Sequence, residues 1–217
     1  MTEIVFEGQN YKEFQTSEEA DAWAWKNYAD ILTPGEENVE YMSVFYYTGS
    51  MSRKWNSVLR RHPSIESGDF EKSAVREFCS DGEQIRRIKE VNAVLRRHCI
   101  PENIVVYRYT HAKVMKRLCA QSGIKKGTIF ADKGFFSTTL IKELLGNFAS
   151  KHECDCLLKL YLPNGLQGAY VALKNPLTRL NEQEILLPPN TKFEIVKIHR
   201  AFWFCKPKLI ECKAVLE

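Results

Sequence analysis

The chain has 217 residues, 44% hydrophobic and 12% aromatic, with a formal net charge of +4, so it can bury a sizeable core and lacks the overall basicity that would itself point to nucleic acid. Seven cysteines, an odd number without finger or redox-turn spacing, point to free thiols in a reducing compartment and away from disulfide staples or a zinc site. No apolar run approaches the ~18 residues of a membrane-spanning helix, and the first residues lack the basic and apolar regions of an export signal, so a soluble chain is expected.

With neither a repeat nor a proline-rich linker, the chain reads as one domain over residues 1–217, a helical lead-in over 1–100 and a strand-rich catalytic part over 101–217, monomeric by default. Thr16 and Glu19 have the spacing of a capping box, and Ala20, Trp23, Ala24, Tyr28 and Ile31 recur at helical spacing until Pro34 and Gly35. A second helix is predicted over 39–47 with Gly49 breaking it, and a third from about Ser50 through Trp55 and Leu59 to Pro63. Another, capped by Ser80, puts Ile85, Ile88, Val91 and Leu95 on one side. The pairs Arg60-Arg61, Arg86-Arg87 and Arg96-Arg97 fall in these helices and read as solvated faces or C-terminal charges. From Ile104 the period changes to that of strands, over 104–109, 134–139, 156–162, 168–173, 184–187, 193–198 and 208–216. Short helices at about 112–121 and 141–150 interrupt them. The predicted class is α+β, with helices packed on one side of largely antiparallel sheets.

Three polar features lie within or at the end of apolar strands: Arg108 after Val106-Tyr107, the run Ser137-Thr138-Thr139 after two phenylalanines, and Glu182-Gln183-Glu184 ahead of Ile185. Alternation by two would project Glu182 and Glu184 from one face of an extended strand, where repulsion raises at least one pKa unless a cation lies between them. Such a pair suits cation chemistry. One fixed carboxylate stabilises an oxocarbenium-like sugar as a positively charged group departs, and the second handles the nucleophile's proton. Alone the spacing decides nothing, because 21 glutamates in this chain give about two such matches by chance. Surface carboxylates, a salt-bridged arginine and an ordinary hydroxyl-bearing strand explain each feature singly.

Taken in order, the three features resemble the motif set of bacterial mono-ADP-ribosyltransferase toxins, an Arg, a Ser-Thr-Ser-like strand and a Glu-x-Glu, as in the enzymatic components of clostridial binary toxins. The resemblance covers most of the chain, with residues 19–28, 47–50 and 55–60 upstream and 134–140, 163–171 and 181–193 downstream. It implies two packed sheets clasping NAD, braced by the helical half. It also implies roles: Arg108 at the NAD diphosphate, Tyr109, Ser137 and Thr138 along the cofactor, Ser137 holding Glu184, Glu184 at the nicotinamide ribose, and Glu182 deprotonating an incoming guanidinium. In that family a Glu at the position of Glu182 accompanies arginine as acceptor, and a Gln accompanies asparagine. The physics agrees, since a carboxylate pairs bidentately with a guanidinium and can take its proton, which an amide cannot.

Segment 141–155 corresponds to the family's loop and helix over phosphate and nicotinamide, with Lys142, Asn147, Phe148 and Lys151 as candidates. Phe148 lies either against the cofactor or in the core of a short helix. Residues 174–181 match the turn-turn loop that meets the protein substrate, here offering Asn175, Leu177 and Arg179. Thr139 stands where Ser is usual, Tyr109 where a small residue is frequent, and the turn-turn loop has no aromatic residue, so the target is not implied and actin is one candidate. The expected protein is a NAD-consuming transferase acting on a protein arginine, secreted or delivered into a target cell's cytosol, without metal. A NAD glycohydrolase would use the same site with water as acceptor, and a catalytically dead or nucleic-acid-binding member would rely on the basic pairs.

Overall fold

Thr16 caps the first long helix as its pattern predicts: its hydroxyl accepts from the Glu19 amide at 3.3 Å, and the Glu19 carboxylate reaches back past the cap to accept from the Gln15 amide at 3.1 Å, a variant of the capping box. The computed structural model describes residues 1–74, 82–144, 154–172, 182–199 and 208–216, and helix α1 (Ser17–Leu32) follows that cap. Asn38 caps α2 (Val39–Tyr46) through the Tyr41 amide. The expected break at Gly49 does not occur. A π-helical turn, Tyr47–Met51, runs through the glycine into α3 (Ser52–Arg61), because a residue without a side chain does not obstruct a widened turn and costs a helix only about 1 kcal/mol. Helix α4 (Asp69–Ala74) was not anticipated, and α5 (Gly82–Arg97) buries Ile85, Ile88, Val91, Val94 and Leu95 as its spacing requires.

The helical lead-in begins later than expected. Strands β1 (Thr2–Phe6) and β2 (Gln9–Glu13) form an antiparallel hairpin whose two turn residues, Glu7 and Gly8, both have positive φ, the geometry of a primed two-residue turn. The remaining strands are β3 (Ile104–Thr110), β4 (Ile129–Ala131), β5 (Phe136–Thr139), β6 (Cys156–Leu162), β7 (Ala169–Tyr170), β8 (Glu184–Leu187), β9 (Lys192–Ile198) and β10 (Lys208–Ala214), with α6 (Ala112–Cys119) between β3 and β4.

Among the described residues the strands form one mixed, largely antiparallel ladder in the order β4-β9-β10-β6-β3-β5-β8-β7, the hairpin attaching to β3 through β2. Strand β3 pairs with β6 along its whole length, from Ile104↔Leu162 to Thr110↔Cys156, but meets β5 at the single pair Tyr107↔Thr139. The two expected sheets are thus two lobes joined at one point, and the ladder opens into a seam beside Arg108. The main core packs α1, α2, α3 and α5 against one face of the lobes around Trp55, Tyr28, Phe135 and Leu186. On the other face of β3 and β6, Tyr11, Val105, Tyr107, Leu157 and Tyr161 form a smaller cluster under the hairpin, where Phe6 stacks on Tyr161 with ring centroids 3.9 Å apart.

Candidate active site

Alternation along β3 sends Val105 and Tyr107 to the hairpin-side cluster and Val106 to the main core, so Arg108 faces the helical half. Its Nη1 donates to the Ser137 carbonyl at 2.5 Å and its guanidinium carbon lies 4.6 Å from the Phe136 ring centroid. The side chain therefore supplies, across the seam, the donor that a fuller β3–β5 ladder would have supplied. Burial lowers its pKa, with Asp132, Tyr47 and Glu184 favouring the cation and Arg60 opposing it; an arginine value is so far above neutrality that the charge persists.

The hydroxyl-bearing strand pins the acidic turn. Ser137, Thr138 and Thr139 on β5 face Leu186, Ile185 and Glu184 on β8 in register. Thr138 Oγ1 donates to the Ile185 carbonyl at 2.8 Å, and Thr139 Oγ1 donates to the Glu182 carbonyl at 2.5 Å and accepts from the Ile141 amide at 3.2 Å. The Leu140 amide donates to the Gln183 carbonyl and the Val171 amide to the Glu184 carbonyl, at 3.0 and 2.9 Å.

Strand alternation is not what brings the two carboxylates together. β8 begins at Glu184, and Gln183 has φ +47, so the turn is kinked through the left-handed region where an extended segment was expected. The pair still interacts. Glu184 is 7% exposed; burial pushes its pKa up to about 7, Glu182 adds to the rise, and a hydrogen bond from the Ser137 hydroxyl and the charge of Arg108 oppose it. Glu182 is half-buried and raised by burial. Arg108, Ser137, Glu182 and Glu184 are thus gathered at one place.

Three further candidates stand differently. Tyr109 packs against the cluster on the other face of the sheet, because neighbouring strand residues point oppositely, and the Thr138 hydroxyl is engaged by the Ile185 carbonyl. Lys142 lies in the 3₁₀ turn Lys142–Leu144, exposed. Asn147, Phe148, Lys151, Asn175, Leu177 and Arg179 lie outside the described residues.

The helical half contributes a polar network that sequence reasoning missed. Arg60, expected on a solvated face, forms a bidentate pair with Asp132, Nε–Oδ1 2.7 Å and Nη2–Oδ2 2.8 Å, and Asp132 is 4% exposed. Asn56, one helical turn earlier, donates to the Tyr47 hydroxyl at 3.0 Å and accepts from the Phe135 amide at 2.7 Å. Tyr47 is buried within the electrostatic reach of Glu184 and Arg108, which ties this network to the acidic turn. The signal available in the sequence was Asn56 and Arg60 at i, i+4 beside the buried Trp55 and Leu59, polar residues at the edge of an apolar stripe. Of the other basic pairs, Arg86 and Arg97 stay exposed and pair with Glu90 and Glu40 as expected, whereas Arg87 is mostly buried, bound to Glu83 with its guanidinium over the Tyr46 ring, and Arg96 is bound to Glu66 and Gln167.

A held guanidinium, a buried carboxylate of raised pKa and a second carboxylate on a pinned turn make this the class of site that binds an anionic ligand and stabilises a developing cation beside it. Residues 20–210 match the family model described as ADP-ribosyltransferase exoenzyme. The chain belongs to the ADP-ribosyltransferase exoenzyme family and is a NAD-using transferase of that toxin family.

No curated protein sequence matches the chain. The fold is shared with solved structures. C3stau2 from S. aureus, solved with NAD, superposes with TM-score 0.71 at 18% identity, over 95% of this chain and 99% of that one. Plx2a, an ADP-ribosyltransferase toxin from Paenibacillus larvae, gives 0.67 at 20% identity, over 94% and 99%. The enzymatic component C2-I of the C2-toxin from Clostridium botulinum gives 0.64 at 19% identity, over 99% of this chain and 53% of that one. No helix among the described residues is long and apolar enough to cross a membrane.

Proposed function

We propose that the chain transfers ADP-ribose from NAD to an arginine side chain of a protein, releasing nicotinamide. The observation that carries this reading is the pinned Glu182-Gln183-Glu184 turn, in which a carboxylate rather than an amide stands ahead of the buried Glu184. Arg108 would hold the diphosphate, where a guanidinium fork gives geometry as well as charge. Ser137, whose hydroxyl acts to lower the Glu184 pKa, would keep Glu184 in place. Glu184 would engage the ribose 2′-hydroxyl and stabilise the oxocarbenium as the bond from ribose C1 to the nicotinamide nitrogen breaks and its electron pair leaves with nicotinamide.

The acceptor guanidinium nitrogen then bonds to C1 and loses a proton to Glu182. Burial makes Glu182 a stronger base than an exposed glutamate, which narrows its gap to a guanidinium. Residues 1–217 act as one transferase domain in this reading, 1–100 bracing and 101–217 carrying the chemistry, in a toxin or secreted effector. Asn175, Leu177 and Arg179 are its candidates for meeting the target protein.

The test is labelled NAD added to wild type, Glu182→Gln and Glu184→Gln in eukaryotic and bacterial lysates, reading protein bands and free nicotinamide. A hydroxylamine-labile band lost in Glu182→Gln, with residual nicotinamide release, is the expected result. Glu184→Gln should lose both by about 10²–10³-fold. Full activity of Glu184→Gln would remove the carboxylate from the chemistry, and nicotinamide release without any labelled protein would assign water as the acceptor.

A further inference from the structure

The residue between the two carboxylates has a demanding position. Gln183 is fully buried and has φ +47, a conformation that glycine or asparagine adopts more easily and that strains a long side chain. Burying its amide costs more unless the amide is bonded. It meets the Tyr170 hydroxyl, which also lies 2.8 Å from Asp21 Oδ1 on α1. Tyr170 itself is held independently by the sheet, opposite Ile185, and is buried.

The chemistry of the three groups fixes the direction of the hydrogen bonds. A phenol has one proton and a carboxylate only accepts, so Tyr170 donates to Asp21 and accepts from the Gln183 NH2. The same orientation satisfies the amide nitrogen, which has no acceptor when the amide oxygen faces Tyr170. The atom left without a partner is then the carbonyl oxygen, with one N–H of the amide also unused, and an under-satisfied carbonyl is the less rare omission. Burial first and Asp21 second push the Tyr170 pKa upward, keeping the proton on the phenol at any working pH.

We propose that Gln183, Tyr170 and Asp21 form a positioning relay that aims Glu182 at the acceptor, tying the acidic turn of the sheet to the first turns of α1. This rests on the arginine-transfer reading of Glu182. The two carboxylates differ in how they are held. Glu184 is in the β5–β8 ladder and bonded to Val171, whereas Glu182 precedes the strand and its backbone is held by Thr139. Loss of the relay therefore loosens Glu182 and leaves Glu184 in place.

Tyr170→Phe, Gln183→Gly (which keeps the left-handed backbone), Asp21→Ala and Asp21→Asn are compared for transfer to a small guanidine acceptor, for NAD hydrolysis and for thermal melting. Tyr170→Phe, Gln183→Gly and Asp21→Ala should each lower the transfer kcat about 10–100-fold while NAD hydrolysis and the KM for NAD stay within about threefold. Asp21→Asn, which still offers an acceptor oxygen, should restore most of the transfer. The double variant Tyr170→Phe/Gln183→Gly should lose little beyond either single one, since both break one chain.

Transfer and hydrolysis falling together, or full transfer by Gln183→Gly, would overturn the relay and leave the amide a packing residue. If wild type labels no guanidine acceptor, the arginine reading fails. The relay is then judged on melting alone, where coupled losses for Asp21→Ala and Gln183→Gly support it and additive ones reject it.

Discussion

Replacing Glu184 by Gln should make the folded protein more stable than wild type at pH 8 and no more stable near pH 4.5. Glu184 is 7% exposed, and burial lifts its pKa from the ordinary 4.5 to about 7 against the pull of the Ser137 hydroxyl and Arg108. A carboxyl whose pKa is raised by folding binds its proton more tightly in the folded state. Its contribution to stability is therefore fully present below the unfolded pKa and is lost as pH rises through the folded one. The window is roughly pH 4.5 to 7, and the loss above it is on the order of 3 kcal/mol, since each tenfold gain in proton affinity on folding is worth about 1.4 kcal/mol. Glutamine keeps the shape, can still accept from Ser137, and carries no charge to desolvate. For a chain of this size the gain at pH 8 corresponds to a melting temperature higher by roughly 5–10 °C.

Urea or thermal melts of both proteins from pH 4.5 to 8.5 read this directly. Equal stability at pH 8, or an advantage that persists unchanged at pH 4.5, would refute the claim that burial of this carboxylate is a folding cost retained for function. The same ionisation should appear in catalysis. The kcat/KM for NAD should fall as pH drops below about 7, and the kcat limb should lie lower, because a bound nicotinamide cation favours the ionised carboxylate.

Gly134→Ala should destabilise the protein by about 1–3 kcal/mol, since a Cβ there would lie 2.8 Å from Asn56 Oδ1 and 3.2 Å from Arg60 Nε and Nη2; a wild-type urea midpoint would show that α3 yields freely. Thr139→Val removes the hydroxyl shared by the Glu182 carbonyl and the Ile141 amide and should cost about 1–3 kcal/mol and lower transfer. Thr139→Ser should behave as wild type, and equal damage from both substitutions would count against the hydroxyl. Arg108→Lys should weaken NAD binding at least about tenfold in calorimetry, because a single ammonium replaces a fork that bonds Ser137 and still presents donors to an anion; unchanged affinity would place the diphosphate elsewhere.

What the sequence showed of this architecture follows from where its signals are local. The capping box at Thr16 and the apolar spacing of Ala20 to Ile31 lie within a few residues of the structure they cause, and α1 formed accordingly. The strands 156–162 and 184–187 appeared at the expected residues because each is almost wholly apolar and buried, interrupted only by Lys159 and led by Glu184. The hairpin at 2–13 was missed because its turn is Glu7-Gly8 rather than the stronger Asn-Gly or Asp-Gly pattern, and β4 because three residues give no period to read. Gly49 misled for the opposite reason. A glycine signals a break only when nothing else holds the helix, and here buried Tyr47 and Trp55 hold both sides of the π turn.

The acidic turn and Arg108 stood out because each sets a charge within or just ahead of an apolar strand and because the three features follow one another in a recognisable order, while Asn56, Arg60 and Asp132 carried no such contrast. Arg60 and Asp132 are 72 residues apart, and an arginine near the end of a helix reads as solvated until its partner is known. The logic that connects the two halves is structural. Because β3 and β5 pair at only one position, the Ser137 carbonyl needs a donor that the ladder does not give, and Arg108 gives it. A guanidinium has five N–H donors, so closing the seam does not exhaust it. The incomplete ladder, a defect for a purely structural sheet, thus fixes the position of the cation beside Glu184, and the Arg60–Asp132 pair adds a second held guanidinium on the facing helix. Preorganised charge is obtained here by leaving a sheet unfinished, and a fully paired β3–β5 ladder would leave Arg108 without that anchor.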